Sequence, residues 1–93
     1  MPAEAASASV DVCNARGLHA RASAKFVKLA AQYDAEVKVS KDDQTVDAQS
    51  IMGLMMLAAG PGCSLRISAA GPQAEEAVAA LTELVSGRFD EEA

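Results

Sequence analysis

Apolar residues recur in this chain first at every second position, then at every third or fourth, then at every second again. Strands and helices must therefore alternate along it. In "SASVDVC", Ala8, Val10 and Val12 share one face and Ser9, Asp11 and Cys13 the other, which predicts a first strand. After "NARG", where Asn14 and Gly17 favour a turn, the apolar positions become Ala22, Phe26, Leu29, Ala30 and Tyr33, one face of a helix. "AEVKVSK" alternates again with Ala35, Val37 and Val39 inward, and Asp42 and Asp43 read as a hairpin turn into "QTVDA".

"SIMGLMML" predicts a short apolar helix with Ser50 as its N-cap, weakened by Gly53. "AAGPG" stops that helix, and "CSLRISA" sets Leu65, Ile67 and Ala69 inward against Ser64, Arg66 and Ser68 outward, a fourth strand. Beyond Gly71 and Pro72, the residues Ala74, Ala77, Val78, Leu81, Leu84 and Val85 form one helical stripe. Glu75 and Glu76 lie near its positive start and Gly87 at its stop. The order βαββαβα predicts an α+β fold, an open-faced β-sandwich: a four-stranded antiparallel sheet with two long helices and one short one covering one face. A length of 93 residues suits a single domain over 1–93, with residues 1–6 and the acidic end 88–93 expected to fray.

Composition narrows function mainly by exclusion. The net charge of −5 opposes general affinity for nucleic acid or an anionic membrane, and an aromatic content of 3% opposes stacking on bases, although a local basic patch stays compatible with both numbers. The opening "MPAEAASAS" has no basic start and no apolar run, so it does not read as a secretory signal, and no segment approaches a membrane span. A cytoplasmic protein is expected. Cys13 and Cys63 lack CxxC spacing, and one histidine cannot supply a metal cluster, so neither metal nor cofactor is expected. Strand parity puts Cys63 inward with Leu65 and Cys13 outward with Asp11, which predicts two unpaired thiols.

That one histidine, His19, stands where the first helix begins. A helix start leaves amide N–H groups without partners and carries partial positive charge, a ready site for an anion. With His19 at the N-cap, a phosphoryl group carried on its ring would be held by the amides of Ala20 and Arg21, with the Arg21 guanidinium free to swing in. Phosphoryl transfer depends mostly on positioning and charge stabilisation, and a neutral imidazole already offers a lone pair. Position alone is weak evidence, because a histidine at a helix start is more often a cap or a surface residue.

The neighbours of His19 carry more. "GLHARASAKFV" resembles the active-site signature of HPr, the histidine-containing phosphocarrier of the phosphoenolpyruvate-dependent phosphotransferase system, and "QSIMGLMML" resembles the same family's second signature around a regulatory serine. The element order agrees from about Ser7 to Ser86. The resemblance implies that His19 is phosphorylated on Nδ1, taking the group from Enzyme I and passing it to a IIA-type protein, in sugar uptake or in nitrogen and carbon regulation. Arg21 matches the family's phosphate-steadying arginine. Ala22 stands where many members have proline, a change that keeps a good helix former in the first turn. The form "HARAS" is similar to the nitrogen-related branch.

Ser50 matches the serine that an HPr kinase/phosphorylase modifies in some bacteria, a role compatible with capping. Phosphate there would set charge beside Ile51, Met52 and Met55, which the family suggests form a docking patch next to His19, while Leu54 and Leu57 fill the core. Arg21, Lys25 and Lys28 recur at helical spacing and read equally as a basic rim to that patch or as a solvated helix face. The implied protein is a monomeric phosphoryl carrier making brief encounters, not an enzyme with its own substrate pocket, and it has no nucleic-acid or membrane partner. The principal alternative is a non-catalytic ferredoxin-like ligand-binding or regulatory module, which shares the element order but predicts no covalent phosphate. An RNA-binding domain of similar topology is opposed by the charge and the few aromatics.

Overall fold

A computed structural model describes residues 5–91. Its elements in chain order are β1 (Ala6–Asp11), α1 (Ala20–Ala30), β2 (Glu36–Lys41), β3 (Gln44–Asp47), α2 (Ile51–Met56), β4 (Ser64–Ala70), α3 (Ala74–Ser86) and a short 3-10 turn at Arg88–Asp90. The four strands form one antiparallel sheet in the order β1-β4-β2-β3, so the last strand in the chain lies at the centre. Val10 pairs with Leu65 and Val39 with Ile67, which brings the inward positions of three strands into register.

The alternation read from the sequence becomes a sheet with one dry and one wet face. Val10, Val37, Val39, Leu65, Ile67 and Ala69 are buried, whereas Ser9, Asp11, Lys38 and Arg66 are exposed. α1 closes the dry face with Ala22, Phe26 and Ala30, and α3 with Ala77, Val78, Leu81 and Val85. This is the α+β open-faced sandwich that the periods predict. Both cysteines are free thiols: Cys63 packs against the core, and Cys13, exposed but beyond the end of β1, turns its Sγ toward the Val85 and Ser86 carbonyls of α3 rather than to the outer sheet face that parity predicts. Gly53, read as a weak point of α2, has a packing reason: a Cβ there would meet Ser50 Cβ and Val46 Cβ, each at 3.3 Å.

Both expected frayed ends need correction within the described residues. Ala5 N–H donates to the Ala69 carbonyl at 2.8 Å and β1 begins at Ala6, so Ala6 belongs to the sheet and Ala5 is bonded to it. At the other end Phe89 is fully buried, and its carbonyl accepts a 2.7 Å bond from Lys25 Nζ. A run of acidic residues reads as a solvated tail, but one aromatic ring with an open place against α1 and α3 outweighs that tendency. The rest of the fraying expectation, residues 1–4 and 92–93, lies outside the described residues.

Candidate functional site

The loop between β1 and α1 is tied down before the helix starts. Asn14 is fully buried, its Nδ2 donates to the Gly17 carbonyl at 2.9 Å, and Gly17 N–H donates back to the Asn14 carbonyl at 3.2 Å. Gly17 has φ +62°, and a Cβ on it would fall 2.1 Å from the Ala59 carbonyl oxygen, so only glycine fits. Leu18, buried, then donates its N–H to that carbonyl at 2.9 Å. Thus anchored, the chain turns extended at His19 (φ −73°, ψ 179°), whose own carbonyl accepts the first helical bond from Ser23 N–H at 2.9 Å. His19 is the N-cap of α1.

The His19 ring lies between two partners of opposite kind. Nδ1 accepts a long 3.3 Å bond from the Arg21 amide, while Nε2 faces Glu91 Oε2 at 2.5 Å. An amide can only donate and a carboxylate can only accept, so the proton belongs on Nε2 and the lone pair on Nδ1. The other oxygen of Glu91 accepts from Asn14 Nδ2 at 3.0 Å. The Asn14 bond first, then the His19 bond, hold the Glu91 carboxyl below its ordinary value of 4.5, against partial burial and with a smaller contribution from the nearby Lys25 charge.

Around the ring lies an open hollow of about 390 Å³, in which Arg16, Arg21 and Lys25 face Asp90 and Glu91. Among the described residues the guanidinium groups of Arg16 and Arg21 make no hydrogen bond or ion pair. The hollow therefore holds two uncommitted cations beside a nucleophilic nitrogen and the mouth of a helix. Chemically it can receive a compact, highly charged anion such as a phosphoryl group.

Comparison with known proteins agrees with that chemistry. The family model described as the PTS HPr component phosphorylation site matches residues 6–87. The chain belongs to the HPr family. It is 48% identical over 83 residues to the phosphocarrier protein HPr of Neisseria meningitidis serogroup A, covering 89% of this chain and 93% of that protein. It is 39% identical over 82 residues to the phosphocarrier protein NPr of Shewanella violacea, covering 88% and 90%. The crystal structure of HPr from Thermoanaerobacter tengcongensis superposes with a TM-score of 0.90 at 39% identity, covering 95% of this chain and 99% of that one. HPr-family membership makes this chain a phosphocarrier of the phosphotransferase system, whose partners include Enzyme I and IIA proteins. The ferredoxin-like module is not favoured.

Of the residues singled out in the sequence, the HPr fold brings His19, Arg21 and Lys25 together at the hollow, with the amides of Ala20 and Arg21 at the start of α1. Lys25 is committed to the Phe89 carbonyl, whereas Lys28 lies exposed in the last turn of α1 and does not line the hollow. Ser50 caps α2, its Oγ accepting from Gly53 N–H at 2.9 Å. α2 packs beside α1 and presents Ile51, Met52 and Met55 outward, while Leu54 and Leu57 are buried. Met56, which the sequence does not set apart from its neighbours, is the most exposed of the group at 72%.

Five residues at the site escaped sequence reasoning: Asn14, Arg16, Phe89, Asp90 and Glu91. Asn14 carried a faint signal as a turn residue beside His19. Phe89 and Glu91 carried none, since both lie in a segment whose composition reads as solvent-exposed. Among the described residues there is no cluster of three metal-binding side chains, and no helix is long and apolar enough to cross a membrane.

Proposed function

We propose that His19 is the residue that carries the phosphoryl group. Its Nδ1 lone pair attacks the phosphorus presented by Enzyme I. The bond from phosphorus to its donor atom breaks, the electron pair leaves with Enzyme I, and a new P–Nδ1 bond forms on His19. The Arg21 amide, bound to Nδ1 only at 3.3 Å, is free to move to a phosphoryl oxygen together with the Ala20 amide. The uncommitted Arg21 guanidinium reaches the remaining charge. Transfer to a IIA-type protein runs the same step in reverse.

The observation that supports this most is the placement of an unprotonated, loosely capped imidazole nitrogen at the mouth of α1, in an open hollow also lined by two unpaired guanidinium groups. Ile51, Met52 and Met55 dock the partners, with Lys28 at the edge of that surface, and the flexible methionine side chains fit several partner shapes. Phosphorylation of Ser50 by an HPr kinase/phosphorylase gates this docking by placing charge among those apolar side chains. The carrier works as a cytoplasmic monomer whose encounters are brief.

Incubation with phosphoenolpyruvate and Enzyme I should place an acid-labile, alkali-stable phosphate on the protein. His19→Ala should abolish it while leaving the fold intact. Undiminished labelling of that variant would refute the assignment.

A further inference from the structure

The C-terminal turn has an unusual backbone for what looks like a loose end. Arg88, Phe89 and Asp90 have φ of +61°, +52° and +64°, three successive non-glycine residues in the left-handed region. Each such residue is disfavoured by contact between its Cβ and the following carbonyl, so a run of three persists only where the surroundings enforce it. Here they do so on both sides. Phe89 is fully buried, Lys25 Nζ holds its carbonyl, and Glu91 N–H closes the turn on the Arg88 carbonyl at 2.9 Å. The product of this winding is the delivery of Glu91, 72 positions away in the chain, to Nε2 of His19.

The receiving end is built as well. Asn14, buried and already closing the loop at Gly17, spends the same Nδ2 group on Glu91 Oε1 and so orients the carboxylate toward the ring. Resting on the phosphocarrier reading of His19, we propose that Glu91 is a positioning residue that holds the proton on Nε2 and thereby makes Nδ1 the nitrogen that accepts the phosphoryl group. When the P–Nδ1 bond forms, the proton stays on Nε2 and the ring becomes a positively charged phosphoimidazolium. The Glu91 carboxylate then faces that charge from the side opposite the phosphoryl group, as an acidic residue behind a catalytic imidazole does in hydrolases. The charged groups lining the hollow around the ring are Arg16, Arg21, Lys25 and Asp90, and of the two carboxylates only Glu91 bonds to it.

The test separates the clamp from the carrier role. In the 15N-labelled full chain at about pH 8, above the ordinary imidazole range, the His19 Nε2 proton should give a slowly exchanging downfield resonance, because the carboxylate shields it from solvent. That resonance should survive phosphorylation by phosphoenolpyruvate and Enzyme I, with 31P coupling to Nδ1. Glu91→Ala should lose the resonance and accept phosphoryl groups about tenfold more slowly, the loss expected for a charge-assisted bond. Glu91→Gln, which can still accept from Nε2–H, should recover part of the resonance and part of the rate. Glu75→Gln, on the far end of α3, should change neither.

A wild-type protein without the protected proton, a phosphoryl group found on Nε2, or a Glu91→Ala variant within twofold of wild-type rate would each overturn the proposal. Absence of any phosphorylation in wild type would instead refute the carrier reading, and the downfield proton would still report whether the clamp exists. Matching thermal unfolding of wild type and Glu91→Ala shows that a rate change is not loss of fold.

Discussion

Two helices in this molecule start with a side chain that accepts from the first turn, and they do so to different ends. At α2, Ser50 Oγ accepts from Gly53 N–H at 2.9 Å, a bond of ordinary strength among apolar neighbours, with Ile51, Met52 and Met55 turned outward. At α1, His19 Nδ1 accepts from Arg21 N–H at 3.3 Å, a long bond with free guanidinium groups nearby and a carboxylate behind the ring. The same capping geometry serves as a fastener in one place and as a loosely covered lone pair in the other. What separates them is the strength of the cap and the charge around it, not the helix.

Exchanging the chemistry of the caps gives the largest expected effect. His19→Ser replaces an imidazole with a preferred N-cap, so α1 should remain and circular dichroism should be unchanged, while phosphoryl acceptance from Enzyme I disappears. Retained acceptance would erase the distinction between the two helix starts. Next comes Phe89→Ala, which removes a fully buried ring and should lower unfolding free energy by about 3–5 kcal/mol in a denaturant titration. Because only the α1 cap has a partner delivered by that turn, phosphoryl acceptance should fall in parallel. Ser50→Ala should cost only about 1 kcal/mol of stability. Its acceptance rate should match wild type, whereas Ser50→Asp, still able to cap, should accept more slowly because charge now borders the proposed docking patch. A Ser50→Asp protein as fast as wild type would refute the proposed gating by Ser50.

The smallest effect concerns acidity. Glu91 has a folded-state pKa below its ordinary value of 4.5, so its bonds favour the folded protein fully above that pH and lose their contribution as pH falls through the lowered value. Comparing wild type with Glu91→Gln in denaturant titrations, the stability difference should be largest near neutrality and should shrink below about pH 4.5. A difference that grows on acidification would reverse the assigned sign. No corresponding change is expected at Ser50, which has no charge to titrate.

How legible the molecule was follows from the range of each interaction. Val10, Val37, Val39, Leu65 and Ile67 announce their strands and inward faces, because a strand's parity is written in adjacent residues. His19 and Ser50 announce helix starts for the same reason, since a cap bonds two or three positions away. The central place of β4 is not announced, nor is Phe89 folding back against the helices. Gly53 is a poor helix former, yet its value lies in packing, since a Cβ on it would sit 3.3 Å from Val46 Cβ.

By itself, the order of residues in this chain determined the number and kind of its elements, the polar and apolar faces of its sheet, and the location of its one imidazole at a helix mouth. Only the folded chain decided which ring nitrogen is bare, because that choice depends on Glu91, brought across 72 positions by a left-handed turn that no local preference favours. Local pattern acts over a few bonds and is repeated, so it can be read. A single contact closing a long loop leaves no repeated trace; it exists because burial of Phe89 and the Asn14 and Lys25 bonds together outweigh the conformational freedom given up there.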